Sequence, residues 1–262
     1  MLRNIFLKTL FEKRWMTFWW ATAVFLLILG IVALFPLFKD SFANMDATPE
    51  ELKSLLGDTA AYTTITGWLN FQVFDQMVFA GIILGIIIGG GILAGEESEG
   101  TLQSLLAMPV KRAAVYWQKF AAIAVIVGIV TVMLLFGSLL GVALIGESTS
   151  IGSVFLAAVA AFLVTLFFTA LTYAVGAITG RRGIAGAAVG LFAFASFMLT
   201  SLANGISALK YVDYLSPFHY YNKPSPLTGE FQIVDVLVLL VAALVLLAIG
   251  YKAFTRRDIY QR

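Results

Sequence analysis

The chain alternates between six long apolar runs and shorter polar segments. A transmembrane helix needs about 20 consecutive apolar residues, and each run meets that length. Because a helix satisfies its own backbone hydrogen bonds in lipid, runs of this length favour membrane-spanning helices. The pattern therefore predicts an all-α integral membrane protein with a single six-span domain over residues 1–262. The runs cover about residues 17 to 38, 72 to 94, 120 to 145, 152 to 179, 184 to 207 and 232 to 254.

The polar segments between the runs differ in length. Residues 39–71 and 208–231 are predicted to be outer loops, and residues 95–119 a cytoplasmic loop that contains a short helix. Residues 1–16 are a predicted cytoplasmic N-terminal segment. The fourth and fifth runs are separated only by Gly180-Arg181-Arg182-Gly183. Two arginines between glycines are typical of a tight turn at the membrane interface.

The distribution of cations predicts the orientation of the chain. Lysine and arginine favour cytoplasmic loops. With both termini inside, 13 of the 17 Lys and Arg residues lie in cytoplasmic segments, while most carboxylates lie in outer ones. Both termini are therefore predicted to be cytoplasmic. The four cations left outside are Lys39, Lys53, Lys210 and Lys223.

Composition narrows the possible functions. Apolar residues make up 60% of the chain and charged residues 12%, as in integral membrane proteins. The chain has no cysteine, no phosphate-binding P-loop sequence and a single histidine, His219, so we expect no metal site, no nucleotide site and no enzyme. The only acids within the spans, Asp75 and Asp235, are predicted to lie within about a turn of the outer interface. A gradient-driven carrier usually needs an ionisable group deeper in the membrane.

Small and polar residues recur every three or four positions on three spans. Gly81, Gly85 and Gly89 form such a stripe on the second span, where glycines allow another helix to approach closely. Packing within one chain and a dimer interface both explain this stripe. The polar stripe on the fifth span indicates either structural packing or a substrate path. The fourth-span stripe contains Thr165, Thr169 and Thr172, and the fifth-span stripe contains Ser196, Thr200, Asn204 and Ser207.

Residues 96–112 are charged, although they lie between two apolar runs. Because charged groups avoid hydrocarbon, this segment presents ordered structure to water. Gly100 is predicted to break the second-span helix, Thr101 to cap a short helix with leucines displayed on one side, and Pro109 to end it. A solvated loop whose charges fix the topology is one interpretation. A docking ridge for a partner is the other.

Three parts of the sequence resemble the type-2 ATP-binding-cassette exporter permeases. The first is Glu97-Ser98-Glu99-Gly100-Thr101, followed by residues 105–112 (LLAMPVKR) and Lys119. The second is residues 213–220 (DYLSPFHY), which resemble the last outer loop of that family. The third is residues 254–259 (FTRRDI), which resemble its C-terminal end. The six-span layout extends the resemblance over the whole chain.

The resemblance implies a half-transporter in a prokaryotic plasma membrane. Such a permease pairs with a second permease, as a homodimer or as a heterodimer, and with two separate ATPase subunits, which bind ATP and Mg²⁺. The second and fifth spans would face the dimer axis, and the short helix in residues 95–119 would be a coupling helix seated on the ATPase. No nucleic-acid partner is expected. The implied coupling residues are Glu96, Glu97, Glu99, Gly100, Thr101, Leu102, Leu105, Leu106, Lys111 and Arg112.

Two other functions compete with an ATP-driven exporter. A gradient-driven carrier would transport without an ATPase, and a membrane anchor of a larger complex would bind a partner without transporting anything. The sequence leaves the substrate open, because the candidate path residues are small, neutral and weakly polar.

Overall fold

The computed structural model describes residues 4–43, 63–203, 209–222, 227 and 232–257. Within these ranges every regular element is helical, and no strand occurs. Six helical stretches in them are long and apolar enough to cross a membrane, which confirms the predicted six apolar spans of an all-α chain. The helices are α1 (Ile5–Ala33), α2 (Phe35–Ala43), α3 (Ile65–Ser98), α4 (Thr101–Leu106), α5 (Arg112–Leu144), α6 (Ile151–Thr179), α7 (Arg182–Ala203), α8 (Lys210–Asp213), α9 (His219–Asn222) and α10 (Ile233–Arg256).

Several helices extend beyond the apolar runs, because a helix keeps satisfying its backbone in water as well as in lipid. α1 begins at Ile5, so residues 5–16 continue into the first span without a break. α3 begins at Ile65 instead of near residue 72. Asp75 therefore lies ten residues after the start of α3.

Two parts of α3 are π-helical. They cover Leu69–Asp75 and Gly91–Gly95. π-helical turns within α-helices often occur at functional sites. The second one lies directly before the charged residues 96–112.

α6 is the central helix of the bundle, packing against α3, α5, α7 and α10. α1 lies to one side and packs mainly on α5. The two helices approach closely at Gly137, where an added Cβ would lie 3.2 Å from Ile28 Cγ2, and at Gly141, which faces Val32. Glycines at helix contacts in membranes permit this close packing.

The bundle has two polar ends. At one end, which we call the termini end, the start of α1, residues 96–112, the α6–α7 turn and the end of α10 come together. There the Phe6 amide donates to Gln118 Oε1 at 3.4 Å. At the opposite end, which we call the loop end, Lys39 Nζ lies 2.9 Å from Glu147 Oε1.

The α6–α7 turn is as tight as predicted. Gly180 follows α6 with a left-handed backbone, φ 67°, and α7 begins at Arg182. Glycine is required at this position by its φ and by its surroundings, since a Cβ on Gly180 would lie 2.6 Å from Glu97 Oε1. The turn is therefore packed directly against the carboxylate of Glu97.

Candidate functional site

Residues 96–112 form a helix–turn–helix at the termini end. Gly100 separates α3 from α4 with a left-handed backbone, φ 73°, which confirms the predicted break. Gly100, and not Thr101, occupies the capping position of α4. The Thr101 hydroxyl instead donates to the Glu96 carbonyl at 3.2 Å, which ties the start of α4 to the end of α3.

The leucines of α4 face the bundle. Leu102 is fully buried, Leu105 is 8% exposed and Leu106 is half-buried. The expectation that these leucines form an exposed ridge is therefore wrong. A short amphipathic helix lying on a bundle buries its apolar face there, because that removes apolar area from water without a partner. The leucines thus fix the position of α4.

Glu96 pairs with Lys119 across the α3–α5 contact. The Lys119 side chain is only 3% exposed, and its Nζ also lies 3.5 Å from the Ile92 carbonyl oxygen. A buried cation of this kind depends on its counter-charge. The pair therefore joins the start of the third span to the end of the second.

Glu97 pairs with Arg257, which directly follows α10. The Arg257 guanidinium also donates to the Ile178 carbonyl at 3.2 Å, near the end of α6. Arg112, the first residue of α5, donates to the Arg257 carbonyl at 2.8 Å. The ends of four spans are therefore joined by the side chains of Glu97, Arg257 and Arg112.

The opposite face of residues 96–112 is open to solvent. It is mainly polar, with an apolar tip at Met108, whose side chain is 50% exposed. Among the predicted coupling residues, Glu99, Thr101 and Lys111 lie on this face, whereas Glu96, Glu97 and Arg112 are half-buried. We call this surface the α4 face. Its exposed residues are Ser98, Glu99, Thr101, Ser104, Ala107, Met108, Pro109 and Lys111.

The glycine stripe of α3 packs against the threonine stripe of α6. An added Cβ at Gly81 would lie 3.0 Å from Thr165 Oγ1, and Gly85 faces Thr169 at closer range. Gly89 faces the carbonyl oxygen of Thr169, at 2.9 Å from an added Cβ. These glycines therefore serve packing within one chain, and their face is not available to a second copy.

Replacing Gly89 by alanine should lower the free energy of unfolding by about 1–3 kcal/mol, as overpacking of a well-packed core does. The facing atom belongs to the backbone of α6, so it has no rotamer with which to move away. Thermal unfolding of the purified protein in detergent, followed by circular dichroism, measures the effect. Gly30→Ala is the matched control, because no atom lies within 4 Å of its added Cβ. Equal melting temperatures for the two variants would contradict the α3–α6 packing.

The sequence profile of a family described as "ABC-2 family transporter protein" matches residues 6–259, nearly the whole chain. The chain belongs to this ABC-2 transporter family. No curated protein matches the sequence. Family membership confirms the resemblance noted in the sequence.

As a member of the ABC-2 family, the protein is a multi-pass membrane protein and a permease subunit of an ABC transporter. The family comprises membrane domains and not nucleotide-binding subunits, so it implies pairing with ABC ATPase subunits.

The fifth-span stripe of the ABC-2 permease lies in a buried polar cluster at the loop end. The Thr200 hydroxyl donates to Asp213 Oδ1 at 2.7 Å and lies 2.7 Å from Ser216 Oγ. Ser216 donates in turn to the Ser196 carbonyl at 3.0 Å, and His219 Nδ1 lies 2.5 Å from Asp213 Oδ2. All five residues are buried, so packing accounts for Ser196 and Thr200. Asn204 and Ser207 lie outside the described residues.

Four residues of these polar contacts were not predicted from the sequence as site residues: Lys119, Arg257, Asp213 and His219. Lys119 carried a usable signal, since it directly precedes the long apolar run of the third span. A lysine in that place either reaches the interface or needs a carboxylate partner. The pairing of Asp213 with His219 had no such signal, because both stand in a segment that reads as an irregular loop.

Proposed function

We propose that this ABC-2 permease is the membrane subunit of an ATP-driven exporter in a prokaryotic plasma membrane. Two copies form a dimer and associate with two separate ATPase subunits, which bind ATP and Mg²⁺. The termini end faces the cytoplasm, where the ATPases reside. The substrate leaves the cytoplasm, or its membrane leaflet, as the two permeases change conformation.

The observation that carries this proposal is the α4 face, exposed on one side and fixed to the bundle on the other. Leu102 and Leu105 hold α4 on the bundle, while Glu99, Met108 and Lys111 are exposed. Exposed charges around a small apolar centre suit a protein interface, where the rim is polar and the core apolar. The face therefore acts as the coupling surface, and the leucines act as positioning residues.

The ion pairs behind the α4 face support a coupling role. A displacement of α4 by the ATPase reaches α5 through Glu96 and Lys119, and α10 through Glu97 and Arg257. The guanidinium of Arg257 extends the same connection to α6. Rigid, hydrogen-bonded connections of this type are what allow a local movement to reposition whole helices.

The second copy contacts the outward faces of the second and fifth spans. The inward glycine stripe of α3 is occupied by α6, so the dimer surface lies on the other side of these helices. Large apolar side chains are exposed there, including Ile83, Leu191 and Phe194. In lipid such faces gain dispersion contact by packing against another helix.

Changing the charges on the α4 face should strongly reduce capture of the ATPase. The test is affinity purification of the tagged, full-length protein in mild detergent from its native cells. We expect wild type to recover a P-loop ATPase that hydrolyses ATP. Glu99→Lys combined with Met108→Glu should reduce its recovery about tenfold or more, as loss of a central interface contact does. Lys210→Glu, an exposed reversal at the loop end, is the control and should leave recovery unchanged.

Glu97 is unsuitable for this test because its replacement would also release Arg257 and the α6–α7 turn. If wild type recovers no ATPase, the proposed function is wrong. If the double variant recovers as much ATPase as wild type, the α4 face is not the coupling surface.

A further inference from the structure

A cleft of about 650 Å³ opens at the termini end between the start of α1, the last turns of α3, α4 and the start of α7. Its volume falls in the range of roughly 300–1,000 Å³ that is typical of small-molecule sites. The cleft lies beside the α4 face and next to the π-helical turn Gly91–Gly95. No residue of the buried polar cluster at the loop end lines this cleft.

The lining of the cleft divides into an apolar part and a charged part. Ile86, Ile87, Gly90, Gly91 and Gly186 form a small and aliphatic wall where α3 and α7 enter the bundle. Charged side chains from α1, α3 and α7 line the remainder, towards the end of the helices. An occupant that satisfies both parts has a polar head and an apolar tail.

The charged part has an excess of available cations. Lys8 Nζ lies 3.6 Å from Glu12 Oε1, and Glu96 is already paired with Lys119 behind the wall. Among the described residues, neither Lys13 nor Arg182 has a carboxylate within ion-pairing distance. Two cations thus face the cleft without an ion-pair partner there, against the single carboxylate of Glu99.

The apolar part of the cleft is open because Gly91 has no side chain, and no close helix contact requires glycine at that position. No atom lies within 4 Å of a Cβ added to Gly91, and its φ is not in the left-handed range. Gly91 therefore differs from Gly89, whose Cβ would meet α6. The open volume beside Gly91 is the cleft itself.

We infer that this cleft binds an amphiphile with an anionic head group. Lys13 and Arg182 bind the head through charge-assisted hydrogen bonds, and the tail lies along Ile87 and Gly91. Arginine and lysine are the usual partners of phosphate and carboxylate groups. The cleft lies where apolar helices meet a charged end, which is the depth at which membrane amphiphiles place their head groups. A role of the cleft in substrate uptake rests on the proposed export function. The binding of an amphiphile in the cleft does not depend on that function.

The test measures binding of dodecyl phosphate to the purified full-length protein in neutral maltoside micelles, by native mass spectrometry and by thermal shift. We expect saturable binding of one molecule per chain. Inorganic phosphate, which lacks the tail, and dodecyltrimethylammonium, which has the opposite charge, should bind at least tenfold more weakly. Equal binding of the cationic amphiphile would overturn the inference.

Two variants assign binding to the cleft. Arg182→Gln removes one head-group contact, and Gly91→Leu places a side chain in the apolar part from a Cβ that has no described atom within 4 Å. Each should weaken dodecyl phosphate binding about tenfold. Arg181→Gln is the matched control, because Arg181 is the adjacent exposed arginine and does not line the cleft. Unchanged binding in both cleft variants, with unchanged melting temperatures, would overturn the inference.

Further measurements distinguish a resident bilayer lipid from a transported amphiphile. A phospholipid that copurifies with wild type, is displaced by dodecyl phosphate and is absent from Gly91→Leu would identify a resident bilayer lipid. Stimulation of ATP hydrolysis by dodecyl phosphate in the purified complex would identify a transported amphiphile. Loss of the dimer in Gly91→Leu, seen by light scattering, would show that the cleft is an interface between copies and would overturn the inference. Failure to recover any ATPase would contradict the export function but would leave the binding result intact.

Discussion

Replacing Glu96 by alanine should lower the free energy of unfolding by about 3–5 kcal/mol, the usual cost of removing one partner of a buried ion pair. The Lys119 side chain is 3% exposed, and its polar contacts among the described residues are Glu96 and the carbonyl of Ile92. Without the carboxylate, its ammonium group would remain buried and would have no ion-pair partner among the described residues. Of the ion pairs described at the termini end, this one has the most deeply buried member, so its loss should have the largest effect there.

Unfolding in mixed micelles with increasing SDS, followed by circular dichroism, measures this change. Glu99→Ala is the control, because Glu99 is an exposed carboxylate three residues away and its loss should change stability by no more than about 0.5 kcal/mol. The combination of Glu96→Leu and Lys119→Met replaces the pair by apolar groups and should regain most of the stability. If Glu96→Ala and Glu99→Ala were equally stable, the buried pair would contribute nothing and the prediction would be wrong.

The same pair bears on coupling. Under the proposed function, α4 transmits movement only if it moves together with the spans beside it. The variant that combines Glu96→Leu with Lys119→Met retains the α3–α5 contact but loses the ion pair. It therefore distinguishes an effect of the ion pair on protein stability from an effect on the transmission of movement from α4. Full stability with ATP hydrolysis but reduced transport would identify Glu96 and Lys119 as positioning residues for the coupling surface.

The number and type of the spans could be predicted because the thickness of the bilayer sets a minimum length of apolar sequence for each span. A run of about 20 apolar residues has few alternatives to a membrane helix. The ends of the helices were less predictable, since residues 65–71 of α3 mix apolar residues with polar residues and a glycine and lie outside the continuous apolar run. The breaks at Gly100 and Gly180 were predictable because both glycines adopt the left-handed backbone that favours this residue.

The arrangement of the candidate site depended on contacts that a single sequence does not contain. The periodicity of Leu102 and Leu105 indicates an apolar face on α4, but only the bundle determines whether that face points inward. The spacing of Gly81, Gly85 and Gly89 likewise indicates a close helix contact without naming the partner, which is α6. In both cases the local pattern was correct and its tertiary partner could not be inferred.

Replacing Asp213 by alanine should have an effect of similar size at the loop end, about 3 kcal/mol, because it removes two buried hydrogen bonds to one carboxyl group. Asp213 is 5% exposed, accepts a hydrogen bond from the Thr200 hydroxyl and has His219 Nδ1 at 2.5 Å from its Oδ2. Removing it takes away one buried hydrogen bond from Thr200 and one from His219. Thr200→Val is the milder comparison, because it removes one hydrogen bond and should cost about 1 kcal/mol.

A double-mutant cycle between Asp213→Ala and His219→Phe tests whether the two residues act as a pair. Because they are in direct contact, their coupling energy should exceed about 1 kcal/mol in SDS-induced unfolding. Lys210→Ala, an exposed substitution in the same α8, should be neutral and additive with His219→Phe. A coupling energy near zero would mean that the short contact does not stabilise the loop end. Strong coupling would mean that Asp213 and His219 tie α8 to α9. The hydrogen bond from Thr200 to Asp213 joins α8 to the fifth span, so any conformational change that moves the loop-end half of α7 must carry α8 and α9 along or break this cluster.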